Sequence, residues 1–131
     1  MINLKTSFEL DVYLEDTDAF GIVYHANYVK FFERGRVDWL AQNGYKFSDI
    51  CNSGYKMLVP KLSIDFLLPC RLGDKLIVQT ELAKQKLSLL VFEQSIVNME
   101  QMIAAKAQIK IVALDSSDKL CHISNLIPGL R

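Results

Sequence analysis

From about residue 26 to residue 43 the chain repeats with the period of a helix. Tyr28, Phe32, Gly35, Trp39 and Leu40 fall at i, i+4, i+7, i+11 and i+12, one face of an α-helix. Lys30, Glu33, Arg34 and Asp38 occupy much of the remainder. Most of the other patterned segments read as strand. A long helix with one apolar face must lay that face on something, and a run of strands offers a sheet. Asn27 is the expected N-cap and Asn43-Gly44 the stop. The helix is then roughly 25 Å long at 1.5 Å per residue. Gly35 lies on the buried face, where glycine costs about 1 kcal/mol against alanine. Close approach of helix to sheet would account for it; the alternative is a glycine that is merely tolerated.

Before the helix, residues 6–14 alternate. Phe8, Leu10, Val12 and Leu14 point one way, and Ser7, Glu9, Asp11 and Tyr13 the other, as in a half-buried strand. The strand breaks at Glu15-Asp16-Thr17-Asp18, whose short polar side chains favour turns, and Gly21 leaves the loop free. After the helix, Met57, Val59, Leu62, Ile64, Phe66 and Leu68 form an apolar set that skips once at Pro60-Lys61, where a bulge or an edge position is expected. Leu72-Gly73-Asp74 is a turn, and residues 75–84, 87–99 and 102–114 are further strands, the last two joined at Glu100-Gln101. Asp115-Ser116-Ser117-Asp118 is another turn, followed by an irregular tail. One strand, one helix and four strands predict an α+β domain, an antiparallel five-stranded sheet on one central helix, with residues 1–131 as a single unit. One helix covers only one face of so broad a sheet, so the far face or an edge is expected to meet a second copy.

Fifteen basic and fifteen acidic residues cancel, so no overall field draws the chain to nucleic acid or to an anionic membrane. Cys51, Cys70 and Cys121 are odd in number, widely spaced and outside any C-x-x-C pattern. With two histidines they make no convincing zinc site, and they read as reduced thiols used as small hydrophobes. No metal or cofactor is expected. The first residues lack the apolar core of a leader, and no run approaches 18 apolar residues, so a cytoplasmic protein without membrane insertion is expected.

Chemistry concentrates between the first strand and the helix. Asp18 follows a strand, precedes a glycine and lies seven residues from His25. By itself such an aspartate is a turn former as readily as a catalyst, and His25 a local hydrogen-bonding residue. The helix start adds a third part. Its first N–H groups lack intrahelical partners and carry partial positive charge, which suits a developing oxyanion. Carboxylate, histidine and backbone donors together suffice for attack on an acyl carbonyl. There is no GxSxG elbow, and the one cysteine beside a histidine is Cys121-His122 in the tail, so any such activity is carboxylate-driven.

Asp16-Thr17-Asp18, Gly21 through Tyr28, and Phe31-Phe32-Glu33-Arg34 resemble the signature of the 4-hydroxybenzoyl-CoA thioesterase family of hotdog-fold proteins. The string is most similar to the bacterial subgroup of acyl-CoA thioesterases associated with the Tol-Pal cluster, which Leu90-Val91-Phe92, Gln94 and Ile96-Val97-Asn98 also resemble. The resemblance implies a hotdog domain of lipid metabolism that hydrolyses short-chain or aromatic acyl-CoA thioesters, with acyl carrier protein as a further partner. It makes Asp18 the essential carboxylate, as nucleophile or as base for water. His25 lines the site and offers its backbone N–H to the carbonyl, while Tyr24, Asn27 and Tyr28 shape the pocket or the helix N-terminus. It places the site between two protomers, with residues 57–62 of the partner, Val59 among them, as the other wall, and pairs dimers into a homotetramer. Lys86, beside Lys84, is the candidate for the CoA phosphates, with Lys56, Lys61 and Arg71 behind it. Leu14 stands where the subgroup often has tyrosine, and Phe20 where it often has a small residue, which bears on rate and acyl preference. Two other readings stay open: an enoyl-thioester hydratase on the same fold, and an acyl-CoA or acyl-carrier-protein binding module without turnover.

Overall fold

The structure is a computed structural model that describes residues 2–130. In chain order the elements are β1 (Lys5–Asp11), a 3₁₀ turn (Leu14–Asp16), α1 (Asn27–Gln42), α2 (Phe47–Asn52), β2 (Lys56–Phe66), β3 (Lys75–Gln85), β4 (Leu89–Asn98), β5 (Ile103–Leu114) and a second 3₁₀ turn (Ile123–Asn125). The strands form one sheet in the order β1-β3-β4-β5-β2, and every neighbouring pair is antiparallel. The chain leaves β1, crosses one face of the sheet as α1, and returns at the opposite edge as β2. From there β3, β4 and β5 fill the space between the two edges.

The α1 face read from the sequence is the face that packs. Tyr28, Phe32, Gly35, Trp39 and Leu40 are all buried, with Phe31 and Arg36 beside them. Trp39 lies edge-on to Phe92 of β4 at 5.1 Å and donates its indole N–H to the Leu4 carbonyl at 3.0 Å. Full burial of each such side chain stabilises the fold by about 1.5–3 kcal/mol. At Gly35 the helix backbone touches the sheet: an added Cβ would lie 2.6 Å from Val78 Cγ1, 2.9 Å from Thr80 Oγ1 and 3.0 Å from Gln94 Nε2. The glycine is therefore required there. Gln94 bonds helix to sheet at the same level. Its amide N–H groups donate to the Phe32 carbonyl and to Thr80 Oγ1, both at 2.9 Å, while its Oε1 accepts from Arg36 Nη1 at 3.1 Å. Burial lowers the Arg36 pKa, and nearby Glu33 acts against that shift.

Several expectations change. β1 ends at Asp11, and Leu14 is 74% exposed rather than inward, because the chain turns into the 3₁₀ segment after Tyr13. Asn27 is the first residue of α1 and not its cap; Ala26 holds the cap position without a side-chain bond. The tail forms little regular structure, yet Ile123, Leu126, Ile127 and Leu130 are buried, and Gly129 N–H donates to the Tyr45 hydroxyl at 2.7 Å. Their spacing is helical, but Pro128-Gly129 stops a helix from forming. The skip at Pro60-Lys61 is a register shift in the β2–β5 ladder, and β2 is also an edge strand.

The two candidate surfaces for a second copy differ in character. The outer sheet face carries Lys5, Gln79, Glu81, Glu93, Ser95, Lys106 and Gln108, with Lys5 paired to Glu81 at 3.2 Å. The β2 edge instead exposes Leu58, Val59, Leu62 and Phe66.

Gly35→Ala should lower stability by about 1–3 kcal/mol through overpacking, instead of adding the roughly 1 kcal/mol that helix propensity alone gives. The urea unfolding midpoint measures the sign directly.

Candidate active site

The segment joining β1 to α1 is closed on itself by one buried carboxylate. Asp16, 3% exposed, accepts the Tyr13 N–H on Oδ2 at 2.8 Å and the Asn27 side-chain amide on Oδ1 at 2.9 Å. Its own carbonyl accepts the Tyr24 N–H at 2.9 Å. Within the loop Thr17 pairs with Val23, and Gly21 adopts φ +76°, a left-handed conformation that favours glycine. Asp18 donates its N–H to the Ile22 carbonyl at 2.9 Å, and its carboxylate Oδ1 accepts the Phe20 N–H at 2.8 Å. Oδ2 of Asp18 takes no bond from the described residues. Ile22 pairs with Arg71, and Val23 N–H donates to the Cys70 carbonyl at 2.8 Å, which fastens the loop to the segment after β2.

His25 follows at the mouth of α1, exposed, with Tyr24 edge-on at 4.7 Å and Phe66 at 6.3 Å between ring centres. The first helical turn starts with Asn27 N–H to the Tyr24 carbonyl at 2.8 Å and Tyr28 N–H to the His25 carbonyl at 3.3 Å. The backbone N–H groups of His25 and Ala26 have no acceptor among the described residues. They stand at the positive end of a 16-residue helix, where a negative oxygen is stabilised. A carboxylate with one oxygen open and a pair of unused donors in the same closed loop are the groups needed to hold an oxyanion and to attack or deprotonate beside it.

The residues expected to shape the pocket divide. Tyr24 is half-exposed beside His25, whereas Asn27 and Tyr28 are buried beneath the loop. The Tyr28 ring packs edge-on against Phe66 at 5.4 Å, and its hydroxyl sits against the Cys70 thiol. Burial, then contact with Cys70, pushes the Tyr28 pKa well up; burial likewise pushes the Cys70 thiol up, opposed by the bond from Tyr28. Phe66 had no mark in the sequence beyond its place in an apolar alternation. It is half-exposed, and it joins His25 to the buried Tyr28.

Val59 and Lys86 are not brought to Asp18 within the chain. Val59 lies near the start of β2, while Phe66 ends it, about 23 Å away at 3.3 Å per residue. Lys86 follows the last residue of β3, whose first residue, Lys75, pairs with Asp11 at the site's end of the sheet. That strand is about 35 Å long. Phe20 is 87% exposed and narrows nothing in the single chain. A broad groove crosses the outer sheet face, but neither Asp18 nor His25 lines it. No group of three His, Cys, Asp or Glu side chains among the described residues could hold a metal ion.

The sheet order, the single long helix and the placement of the loop at its start define the hotdog architecture. The model of the thioesterase-like superfamily matches residues 12–127, and the chain belongs to that family of thioester hydrolases. The chain is 38% identical over 104 residues to the acyl-CoA thioester hydrolase YbgC of Escherichia coli O6:H1, covering 79% of this chain and 78% of that one. It is 36% identical over 116 residues to the acyl-CoA thioesterase YbgC of Haemophilus influenzae, covering 88% and 85%. A DHNA-CoA thioesterase structure from Staphylococcus aureus superposes with a TM-score of 0.90 at 21% identity, covering 95% of this chain and 85% of that chain, which speaks for the fold. No helix is long and apolar enough to cross a membrane among the described residues.

The neutral Tyr28–Cys70 pair gives a pH signature. Both groups ionise less readily folded than unfolded, so their stabilisation is complete below the ordinary thiol value of 9.0 and is lost as pH rises through the raised folded values. The thermal midpoint should therefore fall above about pH 9, and Cys70→Ala should delay the fall toward the ordinary tyrosine value of 10.0.

Proposed function

We propose that residues 1–131 are one hotdog thioesterase domain of the Tol-Pal-associated subgroup, hydrolysing acyl-CoA thioesters to free acid and CoA in the cytoplasm. The observation that carries this reading is the open Asp18 carboxylate in the same closed loop as the unused N–H groups of His25 and Ala26. The thioester carbonyl oxygen lies on those two donors. Asp18 Oδ2 either attacks the carbonyl carbon, giving a mixed anhydride that water then cleaves, or takes a proton from the attacking water. The carbon–sulfur bond breaks, and CoA leaves as a thiolate, which needs little help in departing. Short-chain and aromatic acyl groups are the favoured substrates, and acyl-carrier-protein thioesters the second class.

The working unit in this reading is a homodimer joined at β2, with dimers pairing again into a tetramer. Support comes from the bare apolar edge of β2 and the polar outer face. Antiparallel pairing of two β2 strands about an axis between Leu62 and Ser63 would set the partner's Val59 opposite Phe66, beside His25. The same rotation would carry the partner's Lys86 toward the site's end of the sheet, where the CoA phosphates need a cation.

Asp18→Asn keeps the shape and removes the charge. It should reduce thiol release from short acyl-CoAs by about 100- to 10,000-fold, and a variant as fast as the wild type would remove Asp18 from the chemistry. Loss of enoyl absorbance without thiol release would identify a hydratase instead, and saturable binding with neither would identify a binding module. Leu62→Asp puts a charge into the proposed dimer seam. It should yield monomers by light scattering and lose activity with them; an active monomer would show that the partner contributes nothing to the site.

A further inference from the structure

We propose that Asp16, acting through Asn27, is the positioning residue of the active loop, holding the Asp18 carboxylate in register with the His25 and Ala26 donors. The proposal rests on the thioesterase reading above. All three groups lie between Asp16 and Asn27, and these two residues close the loop from its opposite ends. One carboxylate bonds both flanks: Tyr13 N–H ahead of the turn, and the Asn27 amide at the first residue of α1.

A carboxylate needed only to form a turn has no reason to be buried. Asp18 and Asp115 accept from backbone N–H groups two to four residues onward, and all three bonds are exposed. Asp16 is 3% exposed and reaches 11 residues along the chain to a side chain that is itself 8% exposed. Burying a carboxylate is costly unless its oxygens are bonded, and bonds to an ionised oxygen are short and about twice as strong as neutral ones. Both Asp16 oxygens have a donor here. The buried carboxylate, bonded on both oxygens, therefore favours one spacing between the turn and the helix start. Asn27 has its amide N–H engaged toward Asp16, which makes it part of this clamp rather than a substrate contact.

The test reverses the bond. Asn27→Asp sets two carboxylates against each other and should lower kcat by about 100-fold, the loss typical of an ångström-scale misplacement, with KM within about threefold. Adding Asp16→Asn restores a donor–acceptor pair: the amide at position 16 accepts from Tyr13 N–H and donates to the carboxylate at position 27. That double variant should recover kcat to within about threefold of wild type. Asn27→Ala, which adds no charge, should show the same kcat loss in smaller measure if Asn27→Asp does not fold. The proposal is overturned if the double variant stays as slow as Asn27→Asp, or if kcat falls only as the folded fraction falls. It is equally overturned if Asn27→Ala raises KM and spares kcat, which would return Asn27 to the substrate. Wild-type protein that releases no thiol would sink the thioesterase reading and the clamp's role with it. Active wild type with an indifferent Asn27→Asp would sink the clamp alone.

Discussion

The place where α1 begins is decided by the contact at its middle. At Gly35 the helix backbone rests on Val78, Thr80 and Gln94 with no room for a methyl group, and Gln94 bonds the same helical turn through the Phe32 carbonyl. These contacts limit how far the helix can slide along or lift from the sheet, because packed interiors yield little. The N-terminus of α1 is thereby held at the end of the sheet where β1 finishes and β3 starts. The unused N–H groups of His25 and Ala26 inherit that position. A site made of backbone donors has no side chain with which to correct its aim, so its geometry is only as good as the seating of the helix.

Around this fixed point the molecule separates a buried, bonded layer from an exposed one. Asp16, Asn27, Tyr28 and Cys70 are buried and bonded beneath the loop, while Tyr24 and His25 above them stand in solvent. The exposed layer is unfinished in the single chain. Phe66, Leu62, Val59 and Leu58 leave an apolar edge beside it, and burying such an edge against a like strand satisfies both its apolar surface and its open backbone groups. In the proposed dimer one surface would serve assembly and substrate enclosure together.

Much of the fold was legible because periodicity reports burial. The α1 face, the break in β2 at Pro60-Lys61 and the three hairpin strands all follow from alternation or helical spacing, and each is found within a few residues of its expected limits. The failures share a cause. Leu14 continues the β1 alternation in sequence, but the Asp16 carboxylate captures the Tyr13 N–H and turns the chain first. Asn27 has the composition of a cap, yet its amide is drawn to Asp16 from 11 residues away. At Leu14 and at Asn27 alike, a bond to the Asp16 carboxylate overrode the local pattern. The tail is irregular, as expected, and what its sequence did not show is that Ile123, Leu126, Ile127 and Leu130 pack into the core.

What the sequence determined by itself was most of the inventory: one long helix with a glycine-marked face, five strands, and a loop string specific enough to indicate its family, but not the short α2. Local spacing carries that information because it is written in neighbouring residues. The division of labour among the loop's residues was decided only in three dimensions. Nothing in the order Glu15-Asp16-Thr17-Asp18 says that Asp16 is buried and doubly bonded while Asp18 keeps an oxygen open. That difference arises where the loop closes on the helix start and on Cys70, contacts that exist only once the helix is seated on the sheet.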